Sequence, residues 1–163
     1  MDVLRIVRKR VIMPTIHKKK VEYGMGVFSD HIIPAGSMIK EFKGEFFNKS
    51  NLPKTNYYLQ IGSDLYLGPS GDHDDYFNHS CSPNAYVYIV GSRAFLYSIY
   101  DIPINKEITF DYSLTSSETF DEWSMPCNCK SYECRKNISG FKTLSKTKQD
   151  FYKGINVVPK YNL

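Results

Sequence analysis

Tyr76-Phe77-Asn78-His79-Ser80-Cys81-Ser82-Pro83-Asn84 is the stretch whose reading decides the fold. Its nine positions hold two asparagines, a histidine, a cysteine and a proline, set between apolar, β-prone runs. Such a polar knot is costly to bury unless its donors and acceptors are used. Ser82-Pro83-Asn84 is turn chemistry, so alone the stretch reads equally well as a tight surface turn. The company it keeps decides between the two.

The chain has 163 residues, 42% of them hydrophobic. That argues for one folded domain, with a core burying roughly 68–70% of the unfolded surface. Thirteen Tyr and ten Phe favour strands and ring-lined pockets. A net charge of +4 permits an acidic partner. No basic, aromatic-interleaved helix is present, so direct nucleic-acid binding is not indicated. No apolar run reaches the ~18 residues a membrane span needs. Met1-Asp2-Val3-Leu4-Arg5-Ile6 lacks the apolar region and cleavage site of a secretory signal, which points to an intracellular protein, cytoplasmic or nuclear. Thiols stay reduced there, so the four Cys read as ligands rather than disulfides.

Outward from the knot, residues 85–90 and 94–100 predict a hairpin across Gly91-Ser92-Arg93, and residues 57–61 and 65–67 another around Gly62-Ser63-Asp64. Residues 3–7, 11–16 and 38–42 read as strands, with Pro14 marking an edge, and residues 107–112 as a further short strand. His17-Lys18-Lys19-Lys20 reads as a solvated turn. In Gly24-Met25-Gly26 the absent Cβ atoms let the backbone approach a ligand, but without the third glycine and helix of a dinucleotide site. Asp72-His73-Asp74-Asp75 reads as a solvated loop rather than a metal site. Short strands at such regular spacing predict a mostly β domain of several small sheets. Composition shifts at Ser113, after which residues 120–123 suggest a helical turn and residues 143–152 a short helix.

Cys127-x-Cys129-x4-Cys134 offers three thiolates, whereas a structural zinc takes four ligands in a tetrahedron. Cys81 is the only other cysteine, and it completes the set if the C-terminal segment folds back onto the knot. A nucleophilic pair from His79 and Cys81 is the rival use of the same residues, but nothing else in the sequence supplies an oxyanion site.

Read together, Gly24-Met25-Gly26, Phe42-x-Gly44-Glu45, Asn78-His79-Ser80-Cys81-x-Pro83-Asn84 and Glu107-Ile108-Thr109-Phe110-Asp111-Tyr112 resemble, in that order, the SET-domain protein lysine methyltransferases. The cysteine run that follows is similar to their post-SET zinc motif, whose fourth ligand comes from the Asn-His-Ser-Cys segment. The resemblance spans residues 10–135, and Gly140-Phe141-x-x-Leu144 is similar to small, compact bacterial members. It implies the SET-domain (β-clip) fold, with several small sheets and a C-terminal pseudoknot, in residues 1–113. A post-SET zinc segment, a short helix and a tail would follow in residues 114–163.

The resemblance also implies an activity: methyl transfer from S-adenosylmethionine to the ε-amine of a lysine in a protein or peptide, histones and histone-like proteins among the candidates. Gly24, Met25 and Gly26 would meet the cofactor by backbone, and Asn78 and His79 would hold its amino-acid and adenine ends. Tyr112 would stand at the meeting point as the catalytic hydroxyl. Tyr58 would line the lysine channel, Phe110 would sit where a Phe/Tyr choice sets methylation state, and Trp123 or a tail aromatic would cover the adenine. Cys81, Cys127, Cys129 and Cys134 would hold the zinc. Phe42 stands where the family often has Tyr, Asp75 where many members have Arg, and the segment of residues 48–70 is short. The short segment leaves the peptide groove less defined, while Phe42 and Asp75 leave room for the alternative, a catalytically silent, zinc-stabilised SET-like module that binds a basic peptide or an acidic partner. Tyr112 and Asn78-His79 favour the enzyme.

Overall fold

The computed structural model describes residues 13–54 and 57–163. The strand expected over residues 3–7, and the start of that over residues 11–16, lie outside them. The described strands are β1 (Ile16–Val21), β2 (Gly24–Ser29), β3 (Met38–Glu41), β4 (Phe46–Phe47), β5 (Leu59–Gly62), β6 (Leu65–Leu67), β7 (Asn78–His79), β8 (Ala85–Val90), β9 (Arg93–Ser98), β10 (Thr109–Phe110), β11 (Met125–Pro126) and β12 (Asn137–Ile138); one helix, α1 (Lys146–Gly154), follows. They form three two-stranded sheets, β1–β2, β7–β10 and β11–β12, and two three-stranded ones, β3–β9–β8 and β4–β6–β5.

Period-two burial explains the ladder of β8 and β9. Ala85 and Val87 of β8 and Ala94, Leu96 and Ser98 of β9 face inward, with Val90 opposite Arg93 across a two-residue turn. Ala85, Val87, Ala94 and Leu96 join Val27, Ile39, Phe42, Leu59, Phe77, Ile108 and Phe110 in the main core. A second cluster, Leu114, Phe141, Leu144, Tyr152 and Val157, anchors the C-terminal segment.

The run His17–Lys20 is a strand, not the solvated turn its charge suggested. β1 pairs with β2 through six residues, and the turn falls instead at Glu22-Tyr23. Two of the three lysines tolerate strand geometry because their heads lie over rings: Lys18 Nζ sits 4.7 Å from the Tyr76 ring centre and Lys19 Nζ 5.4 Å from that of Phe28. Asp72-His73-Asp74-Asp75 is likewise more than a solvated loop. Asp74 is buried and accepts the Lys43 backbone N–H and the Ser70 hydroxyl, while Asp75 accepts the N–H groups of Ser70 and Gly71. The helix starts at Lys146, later than the periodicity indicated, because the Ser145 hydroxyl caps it by accepting the Lys148 N–H. Only residues 109–110 of the 107–112 stretch enter a ladder; a 3-10 turn begins at Tyr112. Among the described residues no helix is long and apolar enough to cross a membrane.

Candidate active site

Phe77, His79, Ser80, Cys81 and Pro83 of the polar knot are buried, and most of its hydrogen-bonding groups are used. β7 runs parallel to β10, with Asn78 opposite Thr109 and His79 opposite Phe110. The Ser80 N–H continues the crossing to the Phe110 carbonyl (3.1 Å). Asn84 bridges the same strands from the other side: its Nδ2 donates to the Glu107 carbonyl at 2.8 Å, and its Oδ1 accepts the Thr109 N–H at 2.9 Å. Stretches some thirty positions apart are thus stitched edge to edge, so Tyr112 emerges next to Asn78.

Tyr112 is held at both ends. Its backbone N–H donates to His79 Nδ1 (3.1 Å), and its hydroxyl donates to the Phe77 carbonyl (2.9 Å). Burial pushes its phenol well above the ordinary value, with the Glu107 charge adding to the effect, so it remains protonated. His79 is buried and neutral, lowered to about 4 by desolvation. Because Nδ1 accepts a backbone N–H, the ring proton sits on Nε2, 3.3 Å from Cys81 Sγ. This imidazole braces the crossing and does not face open space.

A cavity of about 840 Å³ opens beside the crossing. Gly24, Met25, Asn78, Tyr58, Phe110, Tyr112 and Trp123 all contribute to its wall; Gly26 and His79 do not. Gly26 has a different role, since a Cβ there would collide with the Glu107 carboxylate and fall 3.1 Å from Asn78 Nδ2. Phe42 packs edge-on against Phe77 and Phe110, with ring centres 6.1 and 6.0 Å apart, and Phe110 lies 4.9 Å from the Tyr112 ring. One end of the cavity is therefore apolar and aromatic next to a single fixed hydroxyl. Tyr58 stands edge-on to Tyr66, the ring centres 5.8 Å apart.

The four cysteines converge. Their sulfurs all lie within 4.8 Å of one another, with Cys81 and Cys134 each 3.8 Å from Cys127. A tetrahedron of ~2.3 Å Zn–S bonds places sulfurs about 3.8 Å apart, so the set fits zinc. All four are free thiols, and Cys81 Sγ and Cys129 Sγ accept the backbone N–H groups of Arg135 and Cys81. Such N–H···S bonds offset the charge of a thiolate cluster. Cys81 is 1% exposed and belongs to this cluster, which leaves the His79–Cys81 nucleophile without access to a substrate. Trp123 packs on the cluster and also reaches the cavity wall.

Several supporting residues went unremarked in the sequence. Asp111 is fully buried and accepts both Arg135 Nη1 (2.8 Å) and Nη2 (2.7 Å), the Tyr152 hydroxyl (3.1 Å) and the Ser113 N–H (3.1 Å). Tyr161 places its hydroxyl 2.9 Å from the Gln60 carbonyl and 2.8 Å from that of Thr115, and Asn162 Nδ2 donates to Leu114 and Ser116. Gln60, Thr115 and Ser116 belong to the cavity wall, so the C-terminal segment backs that wall rather than covering the cavity. A buried carboxylate beside a tyrosine in Phe-Asp-Tyr was a signal available for Asp111; nothing local announced Tyr161 or Asn162.

The fold, the crossing and the cavity define a SET domain, and the chain belongs to that family: residues 24–113 match it directly. It is 32% identical to the variant-silencing SET domain-containing protein of Plasmodium falciparum, over 78% of this chain and 6% of that protein. It is also 29% identical to the H3 lysine-36 specific histone-lysine N-methyltransferase of Debaryomyces hansenii, over 72% of this chain and 18% of that protein. The chain thus spans less than a fifth of the length of either curated relative. Among solved structures, KRYPTONITE bound to mCHH DNA, an H3(1-15) peptide and SAH superposes with a TM-score of 0.65 at 23% identity, over 78% of this chain and 30% of that one. A second KRYPTONITE structure, with mCHG DNA and SAH, gives 0.61 at 26% identity, over 72% and 27%.

Proposed function

We propose that this chain is an S-adenosylmethionine-dependent protein lysine N-methyltransferase domain carrying one structural zinc, and that its substrate is a lysine-bearing protein or peptide of histone or histone-like type. The observation that carries the reading is that the Tyr112 hydroxyl, the Asn78 side chain and an aromatic channel share one cavity. Relatives named as histone-lysine methyltransferases, and a neighbour that holds SAH and an H3 peptide, support it.

When bound, S-adenosylmethionine supplies a methyl group on a positively charged sulfur. Gly24 and Met25 would offer backbone to it, Asn78 its amide, and Trp123 a ring face. The remaining tasks are positioning and keeping water out. A free lysine amine has a pKa of about 10.4 and must lose its proton before it can attack. Phe42, Phe110 and Tyr58 make the channel apolar, which disfavours the ammonium form by desolvation; a neighbouring positive charge acts in the same direction. The Tyr112 hydroxyl proton is engaged by the Phe77 carbonyl, so the oxygen lone pairs face an incoming amine as an acceptor of its N–H and orient the nitrogen lone pair. Phe110 adds no second hydroxyl that would pin the amine, leaving room for di- or trimethylation. Zinc held by Cys81, Cys127, Cys129 and Cys134 would have no part in the chemistry; it would fasten the C-terminal segment against β7.

Transfer of labelled methyl groups to histone and other lysine-bearing peptides, compared between the native chain and Tyr112→Phe, tests the proposal. Loss of labelling is expected in a variant that still folds, its melting temperature lowered by no more than the one hydrogen bond to Phe77 accounts for. Equal labelling would remove Tyr112 from the mechanism. Cofactor binding with no transfer by the native chain would point to the silent peptide-binding module.

A further inference from the structure

Glu107 belongs to no role assigned above, yet three elements close on it. Its Oε1 accepts Asn78 Nδ2 at 2.8 Å and its Oε2 accepts the Tyr23 hydroxyl at 2.9 Å. Its backbone is clamped as well: Asn84 Nδ2 donates to its carbonyl, and the next N–H, of Ile108, donates to Val27 at 2.8 Å. The missing Cβ of Gly26 is the space that the Glu107 carboxylate and the Asn78 amide occupy.

This arrangement fixes which way the Asn78 amide points. One end of that amide faces the Met25 carbonyl (2.8 Å) and the Glu107 carboxylate together. Both are pure acceptors, so that end is the NH2 and both of its protons are used. Oδ1 has no partner among the described residues, and Asn78 lies on the cavity wall. What Asn78 can offer a bound molecule is therefore an acceptor, with a carboxylate immediately behind it.

Resting on the methyltransferase reading above, we propose that Glu107 is a positioning residue for the methyl donor: it locks Asn78 with its carbonyl oxygen available and so selects the ammonium group of the donor's amino-acid end. Glu107 never touches the reacting atoms. It acts through Asn78, and through Tyr23, whose hydroxyl it holds on the same wall. A neutral or apolar side chain at 107 removes the negative charge and one of the two anchors of the amide.

The test compares two probes by calorimetry: S-adenosylhomocysteine, and the same molecule with its α-amino group replaced by hydrogen. The native chain should bind the amino-bearing probe at least about tenfold more tightly, the effect of one charge-assisted hydrogen bond. In Glu107→Gln, and in Glu107→Met if the first variant restores the amide contact, that preference should fall below about threefold, through weaker binding of the amino-bearing probe alone. Melting temperatures confirm that each variant is folded. An unchanged preference in both variants, or equal weakening of both probes, would overturn the inference, because a merely structural role predicts the latter. The assay needs no methyl transfer. A native chain that binds these probes but proves catalytically silent fails the activity reading while the ratio still decides the role of Glu107; a native chain that binds neither overturns both.

Discussion

Replacing Arg135 with Met should destabilise this protein more than any surface charge can. Asp111 is fully buried and has four donors to its carboxylate: two guanidinium N–H groups, the Tyr152 hydroxyl and the Ser113 N–H. Arg135→Met leaves the last two, and a carboxylate with no cation. Breaking a buried pair from one side costs about 3–5 kcal/mol, a large part of the ~5–15 kcal/mol that holds a domain together. For a chain of this length that corresponds to a fall in Tm of roughly 6–20 °C. Met keeps most of the packing volume of the Arg stem, so the loss reports the charge. Urea unfolding followed by the single Trp, Trp123, which packs on the cysteine cluster, gives the free energy directly. Two comparisons sharpen it. Asp111→Asn combined with Arg135→Met should recover most of the loss, since no buried charge is then stranded. Lys146→Met breaks an ion pair with Asp150 whose side chains are 78% and 52% exposed, and should cost only about 0.3–0.5 kcal/mol. An Arg135→Met cost no larger than that of Lys146→Met would refute the reasoning, because it would mean that the Asp111 carboxylate is solvated.

Metal analysis of the reduced protein should find one zinc per chain, lost in Cys127→Ser and on chelation with a fall in Tm; a reduced, folded protein without metal would refute the four-thiolate site. Tyr161→Phe removes a hydroxyl shared between Gln60 and Thr115, worth about 1 kcal/mol; the melting temperature should fall by roughly 2–4 °C, and an unchanged value would show that the hydroxyl holds neither carbonyl in solution. The Arg93 guanidinium and then Lys43 hold Glu41 at about 2 against an ordinary 4.5. A lowered carboxylate stabilises the fold fully above the ordinary value and loses that contribution as pH falls toward the folded one. Glu41→Gln should therefore flatten the stability profile between pH 4.5 and 2, by less than about 1 kcal/mol for so accessible a pair; an unchanged acid limb would show that the pair does not persist in solution.

How much of this was legible beforehand depended on whether the interaction was local. Both hairpins could be read because alternation and a Gly-containing turn are properties of adjacent residues, and β5–β6 and β8–β9 form where those signals lie. The cysteine spacing predicted three ligands and required a fourth. His17–Lys20 was misjudged because two of its lysines rest on Tyr76 and Phe28, partners that charge alone does not reveal. The orientation of His79 was equally hidden, since its ring is set by a backbone N–H thirty-three positions away.

The sequence by itself determined the mostly β character, the four-cysteine set and the residue types of the site, because strand periodicity, turn chemistry and ligand chemistry are written in neighbouring side chains. Only the tertiary structure decided which of those residues share a cavity, that Glu107 governs the Asn78 amide, and that residues 160–162 back the wall. The parallel pairing of β7 with β10 brings residues far apart in the chain to hydrogen-bond distance, and no local pattern encodes that closure.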